Sequence, residues 1–131
     1  MSLEFVLHLH SGYGAAHYDL MLQYEAALAT WQFDADPSAL EAGKNMPCQR
    51  IQDHRTFYLS YQGPLSNNRG QVAMLDFGQY EPLQQDRDRW LVRLAGRRLA
   101  GLYELARVVG PSDACVDAGV NDWLLLCVER S

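Results

Sequence analysis

The sequence predicts a single mainly-β domain over residues 1–131, folded as a small closed or nearly closed β-barrel of about seven or eight strands with short helical turns. Apolar and polar residues alternate with a period of two over the first third of the chain, which is typical of strands with one buried face. Later segments of strand propensity are short and are separated by turns rich in Gly, Pro and Asn. The chain is 48% apolar, enough for one core, and has no repeat or linker that would divide it.

The first two strands are predicted on either side of a glycine-containing turn, Ser11–Gly14. The odd positions of Glu4–His10 are apolar, and the even positions of His17–Gln23 are apolar or aromatic. A period of two places such side chains on one face of each strand. We expect these two strands to pair.

The middle of the chain is predicted to add three more strands. Ala27–Phe33 is the third strand. Asp36–Glu41 is predicted to be a short helical turn or an irregular segment, because a proline follows an aspartate at its start. Thr56–Tyr61 has high strand propensity, and Gln71–Phe77 follows a turn at 66–70. The strands predicted at Thr56–Tyr61 and Gln71–Phe77 are expected to form a hairpin-like unit.

The remaining strands are predicted at Arg89–Leu94, Arg98–Val108 and Trp123–Val128. The leucines of the first two segments would also suit a helix, but Gly96 and Gly101 disfavour that alternative. A polar loop over 110–121 precedes the final strand.

The charge balance argues against a protein that binds nucleic acid through a generally positive surface, because 16 acidic residues face 11 basic ones for a net charge of −5. Six arginines nevertheless fall in the short stretch between positions 87 and 107. Such a run usually forms a solvent-exposed face. The alternative is a basic patch that binds the phosphate backbone of nucleic acid. The candidates for contact with nucleic acid are Arg55, Arg93, Arg97 and Arg98.

The three cysteines, Cys48, Cys115 and Cys127, form no C-x-x-C pair, so we expect free buried thiols rather than a disulfide framework or a cysteine zinc site. No apolar run approaches the roughly 18 residues of a membrane span, and the first residues lack the pattern of a secretory signal. The expectation is a soluble, cytoplasmic protein without a membrane partner.

Three of the four histidines flank the turn between the first two strands. The period of two places His17 and Asp19 on one face of the second strand, and His8 and His10 on one face of the first. Two imidazoles and a carboxylate suit Mn²⁺, Zn²⁺ or Fe²⁺. The alternative is that these histidines only form hydrogen bonds or face solvent.

The fourth histidine, His54, precedes the strand predicted at Thr56–Tyr61, where a side chain can project into a barrel mouth. Tyr58 follows four residues later. An imidazolium and a phenol near a metal can bind or protonate a phosphate oxygen. Taken alone, His54 is more consistent with an ordinary loop residue than with a functional one.

Eight segments occur in a recognisable order: Phe5–His10, His17–Leu22, Asp53–Tyr58, Tyr61–Pro64, Arg69–Val72, Asp76–Glu81, Val92–Gly101 and Trp123–Leu126. In this order they resemble the 3′-phosphoesterase domain of bacterial DNA ligase D. The resemblance extends over nearly the whole chain.

The resemblance implies a small β-barrel with a Mn²⁺ site near its mouth, with Zn²⁺ or another divalent metal as the alternative. It implies hydrolysis at nucleic acid 3′ ends in DNA repair, by removal of a terminal 3′ ribonucleoside and then of the 3′-phosphate. The partners would be nucleic acid and a repair ligase or polymerase. By matching positions, His10, His17 and Asp19 would bind the metal, with His8 as an alternative to His10, and His54 would contact the scissile phosphate beside Tyr58.

The chain departs from the family pattern where arginines are expected. Met21 stands where the family has an arginine, and Met46 or Pro47 stands where it has another. The missing arginines favour a rival hypothesis, a catalytically degenerate binding module of the same fold. A third hypothesis is an oxygenase that holds iron with His17, Asp19 and His54, because H-x-D followed by a distant histidine is the ligand pattern of such iron sites.

Overall fold

Eight antiparallel strands close into a barrel in the computed structural model, which describes residues 3–108 and 122–131. The described residues form nine strands, of which all but β5 belong to the barrel: β1 (Leu3–Ser11), β2 (His17–Tyr24), β3 (Ala27–Phe33), β4 (Asn45–His54), β5 (Gly63–Pro64), β6 (Gln71–Gln85), β7 (Arg89–Ala95), β8 (Ala100–Arg107) and β9 (Trp123–Arg130). Their order around the barrel is β1-β2-β3-β4-β9-β8-β7-β6, and β6 pairs back with β1. The two-residue β5 pairs with β6 beside the closed ring. The mainly-β barrel predicted from the sequence is confirmed.

The inward-facing residues of the strands form one aromatic-rich core. Trp31 lies with its ring centroid 5.0 Å from that of Trp90 and 5.7 Å from that of Trp123, both edge-to-face. The guanidinium of Arg50, on β4, lies 4.9 Å from the Trp31 ring centroid and also approaches the other two indoles. A cation over aromatic faces is stabilising when it is partly desolvated. The strand faces opposite this core form the outer surface of the barrel, which we call the outer wall.

The outer wall carries a second, smaller apolar cluster. Val6, Met21 and Leu28 are buried there on β1, β2 and β3, on the faces opposite the core. Tyr58 and Leu59 pack against them, because the segment 55–70 crosses this part of the barrel surface. The segment contains 3₁₀ turns at Thr56–Leu59 and Ser66–Asn68. This segment covers part of the outer wall and encloses a cavity between itself and the strands.

Several boundaries match the sequence prediction. β3 has the predicted range, and a 3₁₀ turn at Pro37–Ala39 falls within the predicted helical turn. The strands β7, β8 and β9 lie close to their predicted ranges, but Arg97 and Arg98 belong to the β7–β8 turn, and β6 runs on to Gln85. The predicted loop at 110–121 and Cys115 lie outside the described residues.

The strand predicted at Thr56–Tyr61 is wrong, and so is its hairpin with β6. Thr56–Leu59 is a 3₁₀ helix, because its aromatic side chains cover the outer wall instead of joining the sheet. The strand between β3 and β9 is β4, which the sequence analysis did not predict. The sequence of β4 does not show the alternation of apolar and polar residues that predicts a strand, because Pro47 interrupts it and the charged Arg50 occupies an inward position.

Two of the three cysteines lie in the described residues. Cys48 and Cys127 are buried free thiols. Within residues 3–108 and 122–131 the structure contains no helix of the length and apolarity needed to span a membrane.

Candidate metal centre

The β1–β2 pairing sets two residue pairs directly opposite each other. His10 pairs with His17, and His8 pairs with Asp19. The neighbouring side chains Leu7 and Leu20 enter the core, so the period of two turns the histidines and the aspartate outward. The site therefore lies on the outer face of these strands, beneath the segment 55–70.

Three side chains converge with the geometry of a metal site. Nδ1 of His10 lies 3.1 Å from Nε2 of His17, and Oδ2 of Asp19 lies 3.4 Å from the same Nε2. All three ligand atoms lie within 4.8 Å of one another. Ligand atoms about 2.1 Å from a tetrahedral metal are separated by about 3.4 Å. The donor set and its spacing fit a divalent cation.

The orientation of His10 is set by a second contact. Its Nε2 lies 2.7 Å from the main-chain carbonyl oxygen of Arg69. The carbonyl can only accept, so Nε2 carries the proton and Nδ1 is left with its lone pair toward His17 and Asp19. Metal-binding histidines generally donate their second ring N–H to such a partner.

Asp19 provides a direct test of whether the site suits a cation. The residue is 4% exposed, and burial raises the pKa of its carboxyl while the nearby His17 lowers it. Oδ1 is buried and has no hydrogen-bond partner among the described residues. A buried carboxylate with so few partners is costly unless a positive charge offsets it. A bound divalent metal supplies that charge, so the residues fit the ion.

His8 lies next to this group but outside it. The side chain is fully buried beside the main chain of Tyr61, and neither ring nitrogen forms a hydrogen bond of normal length and angle with the described residues. Burial lowers the pKa of His8 to about 4, so the imidazole is neutral at neutral pH. The close cluster of ligand atoms contains His10 and not His8.

A cavity of about 520 Å³ adjoins the metal centre. It is lined by residues of the hairpin, of the end of β4 and of the segment 55–70, among them His8, His10, Tyr13, Asp19, Met21, Asp53, His54, Arg55, Tyr58 and Arg69. All four histidines of the chain therefore lie at the cavity or in the ligand group beside it. The volume accommodates a phosphate group with part of a sugar or base.

The two predicted catalytic residues both line this cavity. Nδ1 of His54 donates to the main-chain carbonyl oxygen of Gln52 over 3.1 Å, which leaves Nε2 free. The rings of His54 and Tyr58 are edge-to-face, 6.0 Å apart. His54 lies outside the close ligand group, so the described residues do not form the iron site of His17, Asp19 and His54 that the oxygenase hypothesis requires.

The predicted arginines divide into two sets. Arg55 lines the cavity. Arg93 lies on β7 at a separate surface groove with Leu3 and Glu81, and Arg97 and Arg98 lie in the β7–β8 turn. None of these three lines the cavity, so the structure does not bring them to the candidate site.

Arg69 lines the cavity and was missed by the sequence analysis. The following residue, Gly70, has φ +83°, and a Cβ there would lie 2.1 Å from the carbonyl oxygen of Ser11. Only glycine permits this approach, which brings the turn 66–70 against the β1–β2 hairpin. The Arg-Gly pair at the end of the predicted turn was the available signal, but its partner in the hairpin is distant in sequence.

The position that lacks the family's arginine is apolar in the structure. Met21 is 2% exposed, packs in the outer-wall cluster with Val6 and Leu28, and lines the cavity. Arg55 and Arg69 are therefore the guanidinium groups that the described part of the chain presents to the cavity.

Comparison with known proteins adds one positive finding. The family model of the DNA Ligase D 3′-phosphoesterase domain matches residues 8–107. The comparison with curated proteins gives no match. The matched range includes the histidines, the aspartate and both cavity arginines described above, and the chain belongs to the DNA ligase D 3′-phosphoesterase domain family.

Proposed function

We propose that this protein is a divalent-metal-dependent phosphoesterase that hydrolyses 3′-terminal phosphate esters of nucleic acid. Membership of the family supports a 3′-phosphoesterase-type function in DNA repair. The observation that carries the finer proposal is the three-ligand group of His10, His17 and Asp19 beside a cavity lined by His54, Arg55 and Arg69. We name Mn²⁺ as the metal, with Zn²⁺ as the alternative.

The metal centre supplies one part of the chemistry. His10, His17 and Asp19 would hold the cation, and His10 is kept in the required tautomer by the carbonyl of Arg69. When bound, such a cation polarises a phosphoryl oxygen and lowers the pKa of a bound water.

The cavity side chains supply the rest. Arg55 and Arg69 would offset the charge of the phosphate and orient it, which guanidinium groups do through paired hydrogen bonds. His54 presents a free Nε2, from which a protonated ring donates to a phosphoryl oxygen. Tyr58 adds a neutral phenol donor at the same wall.

Exposed aromatic rings near the cavity suit a nucleotide substrate. Tyr13 lines the cavity and is 56% exposed. Phe57 is 58% exposed and lies 4.8 Å from Tyr61 and 5.3 Å from Tyr58, centroid to centroid. Aromatic faces beside basic groups are how many proteins bind unpaired bases. We propose that the substrate is the 3′ end of a primer strand bearing a terminal ribonucleotide or a 3′-phosphate.

The product of this reaction is a 3′-hydroxyl, which a polymerase or a ligase can extend or seal. We therefore propose a repair polymerase or ligase as the partner and the cytoplasm as the place of action.

A primer-template assay tests the proposal. The purified protein is incubated with Mn²⁺ and a labelled primer that ends in a ribonucleotide or a 3′-phosphate, and the ends are resolved on a gel. We expect loss of the terminal group with Mn²⁺, and none with EDTA or with Asp19→Asn. An unchanged primer end with wild-type protein and Mn²⁺ would contradict the proposal.

A binding module is the second candidate, because Met21 replaces a family arginine and the net charge is −5. The same samples distinguish it. If the primer is bound, as measured by fluorescence anisotropy, but its end stays intact, the module is favoured over the enzyme.

A further inference from the structure

His8 and Asp19 leave unpaired polar atoms on the same patch of the outer wall. Oδ1 of Asp19 and the ring nitrogens of His8 are buried and form no hydrogen bond of normal length and angle with the described residues, although the main chain of Tyr61 approaches the His8 ring. The two residues face each other across the β1–β2 ladder. Directly opposed residues in such a ladder have Cβ atoms about 4.5–5.5 Å apart. Buried polar atoms in folded proteins almost always have hydrogen-bond partners, so we expect these atoms to have one as well.

The chemistry of the two groups restricts the missing partner. A carboxylate oxygen accepts hydrogen bonds, whereas an imidazole can donate from one nitrogen and accept at the other. A phosphate oxygen would be repelled by the carboxylate. A second cation would find few ligands, because the close ligand group contains the other oxygen of Asp19 and not His8. A water molecule can donate to Oδ1 and bond to the imidazole at once.

The position of these unpaired atoms indicates what a water bound to them would do. Asp19 turns Oδ2 toward His17 and the metal ligands, and its Oδ1 is the other oxygen of the same carboxylate. His8 and Asp19 both line the cavity that holds His54, Arg55 and Arg69. A water between them lies next to the metal centre and at the wall of the proposed phosphate cavity.

We propose that His8 and Oδ1 of Asp19 together position the water that attacks phosphorus. The water oxygen forms the new bond to phosphorus, and the bond from phosphorus to the ester oxygen breaks. The ester oxygen keeps the electron pair and takes a proton from cavity solvent, which receives the proton that the water loses. This role rests on the proposed function, but the existence of the water does not.

The test compares His8→Gln with His8→Leu. Glutamine keeps a donor and an acceptor at this position, whereas leucine fills similar space with neither. Val6→Ala is the matched control, because Val6 is equally buried on the same face of β1 and carries no polar atom. Thermal unfolding of each variant establishes that it is folded.

The first readout is a high-resolution crystal structure of the Mn²⁺-loaded protein. We expect an ordered water within hydrogen-bond distance of His8 and of Oδ1 of Asp19 in the wild type, and no such water in His8→Leu. A wild-type structure without this water overturns the proposal even if His8→Leu does not fold. Electron paramagnetic resonance should show Mn²⁺ binding within about threefold of wild type in His8→Leu, because the three ligands remain. Loss of Mn²⁺ would make His8 a metal ligand and the proposal wrong.

The second readout is kinetic and uses bis(p-nitrophenyl) phosphate beside the primer substrate. We expect His8→Leu to lower kcat about 100-fold with KM nearly unchanged, His8→Gln to recover most of kcat, and Val6→Ala to retain it. Hydrolysis of the small diester with this pattern but without 3′-end processing would contradict the proposed function and support the water. An unchanged kcat in His8→Leu, or no diester hydrolysis by the wild type, overturns the assignment of the water as nucleophile.

Discussion

Arg69 contributes to the site through its main chain and, by proposal, through its side chain. Its carbonyl accepts from His10 and so orients a metal ligand, while its side chain lines the cavity. Substitution removes only the second contribution. The two contributions can therefore be separated by experiment.

We expect Arg69→Gln to leave Mn²⁺ binding unchanged but to weaken binding of a 3′-phosphorylated strand by about tenfold or more, because one charge-assisted phosphate contact is lost. The slope of log K against log salt should fall by about one. Fluorescence anisotropy at several salt concentrations measures both quantities. Arg93→Gln is the control, since Arg93 lies at a separate groove. Equal losses in the two variants would mean that the cavity is not where phosphate binds.

Asp19 and Asp53 both line the cavity, but only Asp19 belongs to the ligand group. We expect Asp19→Asn to abolish Mn²⁺ binding, because a neutral amide removes the charge that a buried hard cation requires. Isothermal titration of Mn²⁺ checks this. Asp53→Asn should bind Mn²⁺ as the wild type does, and retained binding in Asp19→Asn would remove the metal assignment.

At the scale of single elements, the β7–β8 turn is held by a carboxylate from β6. Asp76 is 4% exposed and accepts from the main-chain N–H groups of Phe77, Arg97, Arg98 and Leu99 at 2.7–2.9 Å. Gly96 permits this, since a Cβ there would lie 2.4 Å from Oδ2 of Asp76. This contact explains why Arg97 and Arg98 lie in a turn away from the cavity.

We expect Asp76→Ala to lower the free energy of unfolding by at least about 2 kcal/mol, because several main-chain donors lose a charged acceptor and the amide of Leu99 is buried. Urea unfolding measures the change. Asp86→Ala is the matched control: Asp86 also accepts from turn amides, those of Asp88 and Arg89, but it is exposed. A loss in Asp76→Ala no greater than that in Asp86→Ala would show that the buried contact is not what stabilises the turn.

At the scale of the whole molecule, the barrel interior encloses polar atoms as well as apolar ones. The hydroxyl of Tyr103 is buried beside Cys127 and the main chain of Ala100, but it forms no hydrogen bond of normal length and angle with the described residues. Burial, together with the neighbouring Cys127, raises the pKa of Tyr103 to about 12. The folded barrel therefore favours the neutral phenol.

We expect Tyr103→Phe to be as stable as the wild type near neutral pH, or up to about 1 kcal/mol more stable, because it removes an unpaired buried group. The ordinary pKa of 10 is raised in the folded state, so stability linked to the neutral phenol is present below pH 10 and lost as pH rises toward 12. The melting temperature of the wild type should thus fall more steeply than that of Tyr103→Phe between pH 9 and 11.5. Parallel melting profiles would contradict the assignment.

The features that the sequence by itself determined are those that depend on local backbone geometry. The period of two depends only on neighbouring residues, so it predicted β1, β2 and β3 and the shared faces of His17 with Asp19 and of His8 with His10. The predicted metal ligands are brought together, although their binding of a metal stays a prediction.

Contacts between distant segments decided the rest. The carbonyl of Arg69 and the ladder pairing with His17 distinguish His10 from His8, and neither contact follows from local pattern. The strand propensity of Thr56–Tyr61 was overridden because its aromatic side chains cover the outer wall. Which arginines reach the cavity depends on how turns pack against the barrel. These features depend on burial and hydrogen bonding between residues far apart in the chain, which only the tertiary structure brings together.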